Sequence, residues 1–329
     1  MGKQPARWSL RSRTLRGWLW QAALLALLGT ALWLLARNLQ ANMAARGIQG
    51  GYDFLAQSAG FDIGEGLLPY DATEGYWRAF LAGLANTLKV ALPGVLLATL
   101  LGTLVGIARL SDNALLRGLG TAYVETFRNL PLLLQLLVWY LLLTELLPPI
   151  DAAWHAGPFW LSKGGLHFPM LAWGTLALQV PVKGAFSMEG GAALSPEFVA
   201  LLLGLSLYTA AFVAEVVRAG IQSVPRGQLE AAHTLGLSRG QTLRRITLPQ
   251  ALRVVIPPMT NQYLNLTKNS SLAVAIGYPD LVSIANTTIN QTGRAVECIS
   301  IIMLVYLSTS LATAWLIQRV NARVAIRER

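Results

Sequence analysis

Long apolar runs separated by short polar connections dominate the pattern along the chain. A helix needs about 20 apolar residues to cross the hydrocarbon core of a bilayer, where unpaired backbone groups are costly. We predict six such spans, at about residues 18–36, 76–108, 122–147, 197–221, 254–276 and 296–317. The pattern therefore predicts an all-α, polytopic membrane protein.

The composition of the chain agrees with this prediction. Only 13% of its residues are charged and 54% are hydrophobic, whereas soluble proteins carry roughly 25% charged residues. The net charge of +10 suggests nucleic-acid binding at first sight, but the Lys and Arg residues flank the apolar runs instead of forming one basic face. We therefore expect no nucleic-acid partner.

The first apolar run follows a basic N-terminal segment, which is also typical of a secretory signal peptide. The basic residues are Lys3, Arg7, Arg11, Arg13 and Arg16. The run is long for a signal peptide, and residues 35–38 at its far end offer no convincing cleavage site. We therefore expect a retained membrane anchor.

Basic residues predict the orientation, because short cytoplasmic loops are enriched in Lys and Arg. Three further basic segments lie on the same side of the predicted spans as the N-terminal segment. Their residues are Arg109, Arg117, Arg226, Arg239, Arg244, Arg245, Arg319, Arg323, Arg327 and Arg329. Both termini are therefore predicted to be cytoplasmic. We divide the chain into 1–75 (basic tail, first span and external segment), 76–320 (transmembrane domain) and 321–329 (cytoplasmic tail).

The stretch at 168–182 does not fit this scheme. It is apolar but short, it is interrupted by Gly174, and it is bounded by Pro169 and Pro181. A seventh span would place the two termini on opposite sides of the membrane. We interpret the stretch as an interfacial or re-entrant segment on the outer side, with a full span or a hairpin as the alternative.

The connection between the fourth and fifth spans, residues 223–250, is patterned as two short helices. Ser223 begins a helix-start signal, and Gly236 suits a C-terminal stop. Ser238, followed three residues later by Gln241, is a capping-box pattern.

This second helix is predicted to end at Thr247, before Pro249. In the first helix, Leu229, Ala232 and Leu235 are spaced to share one face. A compact helical pair of this kind can dock into a groove on a partner.

Seven positions in this connection carry a resemblance to a known family. They are Glu230, Ala231, Ala232, Gly236, Ile246, Leu248 and Pro249. Their spacing resembles the EAA loop of ABC importer permeases, in which a coupling helix binds the cytoplasmic ATPase. The resemblance implies that coupling role for four residues, Glu230, Ala231, Ala232 and Gly236. A helical hairpin that only connects two spans is the alternative.

The resemblance extends from about residue 76 to the C-terminus and is closest to polar amino-acid permeases of the histidine/glutamine type. It is carried by residues 86–88, by the R-x-x-P-x-x-x-Q segment at 128–135, and by 257–272. The segment at 264–278 is similar to the general L-amino-acid transporter branch. Those relatives are usually longer, with an additional pair of apolar spans before the fourth span.

This resemblance implies a type I importer permease fold, with one N-terminal helix and a five-helix core. It implies a cytoplasmic ABC ATPase dimer, a second permease subunit and a periplasmic amino-acid-binding protein as partners, and L-amino acids as substrates. By resemblance to this family alone, the chain length and the N-terminal extension suggest a heterodimer of permeases. The expected location is the bacterial inner membrane.

The fifth span combines a predicted break with polar side chains. Pro257 and Pro258 are expected to interrupt the helix. The candidate substrate path consists of Asn261, Asn265, Thr267 and Lys268. A lysine at the bilayer centre costs about 3 kcal/mol on insertion scales, so these groups are expected to face protein or a water-filled cavity. Hydrogen bonds between permease subunits are the alternative.

Other charges near the predicted spans suggest structural roles. Two pairs at i, i+3 spacing are expected to pair with each other or to snorkel: Glu125 with Arg128, and Glu215 with Arg218. Lys89 lies well inside the second span, where it either snorkels outward or lines the cavity.

No feature of the sequence predicts an enzyme. A G-x-x-x-x-G-K-[ST] phosphate loop is absent, so ATP hydrolysis is expected in a partner chain. The three histidines lack metal-ligand spacing, and we predict no catalytic residue, metal or cofactor. A membrane-embedded enzyme and a channel or secondary carrier without an ATPase are the rival classes.

Overall fold

Helices form most of the protein. The computed structural model describes residues 13–45, 47, 50–171, 178–184 and 188–324. The helices are α1 (Arg13–Ala45), α2 (Tyr76–Ala108), α3 (Ala114–Asn129), α4 (Leu132–Leu141), α5 (Pro196–Gln222), α6 (Arg226–Thr234), α7 (Arg239–Thr242), α8 (Leu248–Asn269), α9 (Leu281–Thr292) and α10 (Ala295–Val324). A π-helical turn, Leu243–Thr247, joins α7 to α8, and a 3-10 helix, Ser270–Ile276, extends α8.

The described helices allow four to six membrane crossings. Four of them, α1, α2, α5 and α10, are long and apolar enough to cross a membrane alone, and two bent pairs qualify if each pair is one span. Helices α2 and α5 run parallel. Gly94 lies beside Leu202 and Gly106 lies beside Val217, so residue numbers increase in the same direction along both helices. The chain must therefore return once between α2 and α5, and the bent pair of α3 with α4 makes that return.

The predicted third span is not one straight helix. Helices α3 and α4 meet at 104° across Leu130 and Pro131. Leu130 adopts an extended backbone, as expected for a residue that precedes proline. The side-chain amide of Gln135 donates to the carbonyls of Phe127 and Leu130, at 2.9 Å each, and thereby holds the bend.

The predicted break at Pro257 and Pro258 is wrong, because α8 continues through both prolines. Each proline removes one backbone donor, but the neighbouring turns are held by tertiary packing. Val255 and Met259 are buried against Val213 and Val217 of α5. The α-helical geometry changes after Asn269 instead, where the 3-10 helix begins.

The connection between α4 and α5 contains short strands, which the all-α pattern did not predict. They are β1 (Trp154–Ala156), β2 (Phe159–Ser162), β3 (Gly165–Phe168), β4 (Met170–Leu171), β5 (Leu178–Gln179), β6 (Val182–Lys183), β7 (Met188–Glu189) and β8 (Ala192–Leu194). The order in the four-stranded antiparallel sheet is β1-β2-β3-β8. The described part of the 168–182 stretch is therefore extended, while 172–177 lie outside the described residues. Its membrane position stays a prediction.

The main core lies between α2, α4, α5 and α8, and small residues allow its closest approach. Gly102 and Gly106 of α2 are spaced as in a G-x-x-x-G helix-packing motif. A Cβ at Gly102 would lie 2.5 Å from Val213 Cβ and 2.7 Å from the Ala210 carbonyl oxygen. The pairing of α2 with α5 therefore depends on a glycine at this position.

We expect Gly102→Ala to destabilise the protein, since overpacking of a close interface costs about 1–3 kcal/mol. The measurement is the midpoint of thermal unfolding of the purified protein in detergent. Gly118→Ala in α3 is the matched control, because a Cβ there meets no atom within 4 Å. That control should unfold at or above the wild-type temperature. Equal midpoints for both variants would contradict the packing argument.

Candidate functional site

The connecting hairpin (residues 223–250) begins as predicted. Helix α6 is followed by Gly236, which has a φ of +74°. The Leu237 amide donates to the Ala232 carbonyl at 3.1 Å, and the Gly236 amide donates to the His233 carbonyl at 3.0 Å. These are the two hydrogen bonds of a Schellman C-cap, for which a left-handed glycine is the favoured residue.

The second half of the hairpin keeps its predicted start but not its predicted end. Both capping-box hydrogen bonds are present: the Ser238 amide donates to Gln241 Oε1 at 2.9 Å, and the Gln241 amide donates to Ser238 Oγ at 3.4 Å. The helix does not stop at Thr247, because the chain continues through the π-helical turn into α8. Pro249 lies in the first turn of α8, where proline is tolerated.

The hairpin presents an exposed tip. Glu230 and Ala231 are exposed, whereas Ala232 is buried. Of the three residues predicted to share one face, Ala232 is buried, Leu229 is half-buried and Leu235 is 80% exposed. Glu230 is the only acidic residue of the hairpin, and the exposed basic residues around it are Arg226, Arg239, Arg244 and Arg245. The tip therefore combines one carboxylate and one apolar side chain on a basic surface.

The helix ends next to this hairpin are joined by an ionic cluster. Glu215 pairs with Arg218, as predicted, and also with Arg109 at the end of α2. The second pair, Glu125 with Arg128, does not form, and the alternative of snorkelling stays a prediction. Glu125 accepts a hydrogen bond from Asn129, and the Arg128 guanidinium lies 5.1 Å from the centre of the Phe212 ring. Among these residues, Glu215 links two spans, through its ion pair with Arg109.

The predicted path residues lie on α8 but do not form one group. Asn261, Asn265 and Lys268 follow i, i+4, i+7 spacing and therefore share one helix face. All three are exposed, and within the described residues their side chains have no hydrogen-bond partner. Thr267 is half-buried and its hydroxyl donates to the Tyr263 carbonyl at 3.0 Å. We call the three exposed residues the α8 polar face, and Thr267 is not part of it.

The opposite end of the bundle holds a polar site that the sequence did not predict. Lys89 pairs with Glu65, so it does not extend away from the protein. The buried Asn86 donates to the carbonyls of Glu65, at 2.8 Å, and Pro279, at 2.9 Å, and it accepts from the Leu67 amide at 3.0 Å. No local signal identifies Glu65, since it lies 24 residues before Lys89.

The loop that carries Glu65 is held at its far side by a turn. The Asp71 carboxylate accepts hydrogen bonds from the amide, at 2.8 Å, and the hydroxyl of Thr73. These hydrogen bonds hold the pKa of Asp71 below its ordinary value. Within the described ranges, no group of three or more His, Cys, Asp or Glu residues is placed to hold a metal ion.

Comparison with known proteins gives consistent matches over most of the chain. The family model described as "Binding-protein-dependent transport system inner membrane component" matches residues 98–325. The putative amino-acid ABC transporter permease protein YhdX of Escherichia coli (strain K12) is 41% identical, with 98% of this chain and 97% of that protein covered. The general L-amino acid transport system permease protein AapQ of Rhizobium johnstonii is 39% identical, with 98% and 96% covered.

A solved structure supports the fold. The crystal structure of an amino acid ABC transporter with histidines has a TM-score of 0.56 and 26% identity, and the match covers 75% of this chain and 95% of that chain. The alignment with YhdX spans 382 positions, which exceeds the 329 residues here. That relative therefore contains residues without a counterpart in this chain, in agreement with the longer relatives expected from the sequence.

Proposed function

The chain belongs to the family of binding-protein-dependent transport system inner membrane components, and we propose that it moves L-amino acids. It is a multi-pass permease subunit of an ABC importer and not an enzyme, and it works with a separate ATPase and a binding protein. The proposal of L-amino acids rests on two relatives of nearly full coverage, both named as amino-acid permeases.

The tip of the connecting hairpin is the proposed coupling site for the ATPase dimer. Its residues are Glu230, Ala231, Ala232 and Gly236. Three features support this assignment: the exposed Glu230 carboxylate, the 80% exposed Leu235 and the rigid C-cap at Gly236. An exposed apolar side chain beside a single charge is suited to a partner's cleft, where both become desolvated. Conformational change in the ATPase would then reach α5 and α8, which the hairpin joins.

The α8 polar face is the proposed substrate path. An exposed lysine and two amides on a membrane-spanning helix are too costly to face lipid, so a second subunit or water must cover them. Lys268 can bind a carboxylate, while Asn261 and Asn265 can donate and accept hydrogen bonds. We do not include Thr267 in the proposed path, because its hydroxyl donates to the Tyr263 carbonyl within α8. The uncovered face also supports pairing with a second permease subunit, which we propose to be a different chain.

The proposed orientation places the connecting hairpin and both termini in the cytoplasm. The exposed arginines of the hairpin follow the positive-inside rule. The opposite end of the bundle carries acidic residues, which include Asp62, Glu65, Asp71 and Glu74. We keep the division of the chain into 1–75, 76–320 and 321–329 as a proposal, in which the external part of residues 1–75 packs onto the transmembrane domain through contacts such as that of Glu65 with Lys89.

Reconstitution tests this function directly. Proteoliposomes that contain the permease, its candidate partner subunit and the ATPase should take up a labelled L-amino-acid mixture only with ATP and the binding protein present. Omission of ATP and omission of the binding protein are the controls. Uptake driven by an ion gradient without the ATPase would instead establish a secondary carrier.

A further inference from the structure

A closed loop reaches from the start of α2 far down its side, at the end of the bundle opposite the connecting hairpin. The base of the loop is held by paired backbone segments: the Ala59 amide donates to the Glu74 carbonyl and the Gly60 amide to the Ala72 carbonyl, at 2.9 Å each. Its tip, at residues 65–67, contacts Asn86 and Lys89. Lys89 lies 13 residues from the start of α2, or about 20 Å along the helix.

The Glu65 side chain joins this loop to two spans. One carboxylate oxygen pairs with Lys89 of α2, and the other accepts from the Ser195 hydroxyl, which also caps α5. Lys89 is largely shielded, with 19% of its side chain exposed, and its ammonium group lies 5.0 Å from the centre of the Phe198 ring. Lys89 is therefore enclosed by an aromatic ring and a carboxylate that is carried by a tethered loop.

A cavity of about 450 Å³ adjoins this contact, a size within the usual range for small-molecule sites. Its lining includes Asp62, Glu65, Ser195, Glu197 and Ser283, whereas Lys89 is not among the lining residues. The Glu65 carboxylate thus lines the cavity while its partner ammonium does not. If Glu65 were displaced, Lys89 would become accessible from one side of the cavity. The other charged lining residues, Asp62 and Glu197, are carboxylates.

We propose that Lys89 binds the α-carboxylate of the amino acid on its way into the permease, and that Glu65 occupies this site as an internal substitute when no substrate is present. Asp62 and Glu197 then face the α-ammonium group. This inference rests on the proposed function, because it assigns an entry site to the same transport path.

The charge pattern of the cavity matches that of a zwitterion. A zwitterion needs one cation and one anion at a short separation, and the cavity supplies carboxylates with a concealed ammonium group. The Glu65 carboxylate competes as an intramolecular ligand, because the Asn86 hydrogen bonds hold the loop tip beside Lys89. The substrate must therefore displace the loop tip to reach Lys89. A loop that opens on arrival of the substrate would keep the empty permease closed.

Two single variants give opposite expectations. Lys89→Gln should lower uptake about tenfold or more, because a charge-assisted hydrogen bond to the carboxylate is lost. Glu65→Gln removes the competing charge and should raise uptake several-fold at low substrate concentration, or permit uptake without the binding protein. If the ion pair serves only to hold the fold, Glu65→Gln should lower uptake and reduce the amount of protein in the membrane.

The exchanged pair, Glu65→Lys with Lys89→Glu, separates the two roles. It restores an ion pair but places a carboxylate where the substrate carboxylate must bind. We expect normal membrane levels and normal ATPase co-purification, with uptake as low as in Lys89→Gln. The matched control is the exchanged pair Glu74→Lys with Arg78→Glu, at a half-buried salt bridge of 3.2 Å on the same end of the bundle, and it should transport as wild type.

The outcomes are distinct. Wild-type uptake in the Glu65/Lys89 exchange would overturn the Lys89 assignment and leave the importer function intact. Absence of labelled amino-acid uptake in the wild-type complex would overturn the proposed function itself. If Lys89→Gln does not reach the membrane, Glu65→Gln decides: a gain of uptake supports the entry site, and a loss contradicts it.

Discussion

Glu230→Arg is expected to separate the permease from its ATPase and to lower ATP-dependent uptake about 30-fold or more. The variant removes the only carboxylate of the connecting hairpin and places a further cation among exposed arginines. Loss or reversal of a desolvated charge in an interface costs about 2–5 kcal/mol. Co-purification of the ATPase and uptake of labelled L-amino acids measure the two effects.

Asp112→Arg is the matched control for this prediction. Asp112 is also exposed and lies in the connection between α2 and α3, at the same end of the bundle. The same change of charge there should leave ATPase binding and uptake within about twofold of wild type, as expected for surface substitutions. If Glu230→Arg reaches the membrane at the normal level and keeps both ATPase binding and uptake, the connecting hairpin is not the coupling site.

Apolar replacement of the α8 polar face is expected to stop transport while the fold is preserved. Asn261→Leu, Asn265→Leu and Lys268→Met should each lower uptake about tenfold or more, since each removes hydrogen bonds to a substrate or to its water path. None of these side chains has a hydrogen-bond partner among the described residues. The membrane level of each variant should therefore remain near wild type.

Thr267→Val is the control on the same helix. Its hydroxyl is bound to the Tyr263 carbonyl, so its removal should change uptake by no more than about threefold. Cross-linking to the second permease subunit distinguishes a path from an interface. If a variant loses both cross-linking and uptake, the α8 polar face holds the two subunits together. Normal uptake in all three apolar variants would contradict both roles.

Local signals in the sequence were sufficient to predict the two helix caps of the connecting hairpin. The capping box at Ser238 and Gln241 and the glycine stop at Gly236 are both present, because their hydrogen bonds form between residues at most five positions apart. The exposure of Leu235 was not predictable in the same way. It depends on how α6 is rotated against the rest of the hairpin.

Proline positions were a poor guide to where helices bend. The sequence predicted a break at Pro257 and Pro258 and a continuous span across Pro131, and the structure has the reverse. A proline removes one hydrogen bond in either case. Tertiary contacts decide the outcome: buried packing against α5 holds α8 together, whereas the Gln135 amide holds the bend at Leu130.

The sequence by itself determined that this chain crosses a membrane about six times and belongs with ABC importer permeases, since apolar length and motif spacing are properties of contiguous residues. Only the tertiary structure decided which polar groups act together. It separates Thr267 from Lys268, although they are neighbours, and it brings Glu65 to Lys89 from a separate loop. Helix rotation and loop closure set these distances, and neither follows from the local order of residues.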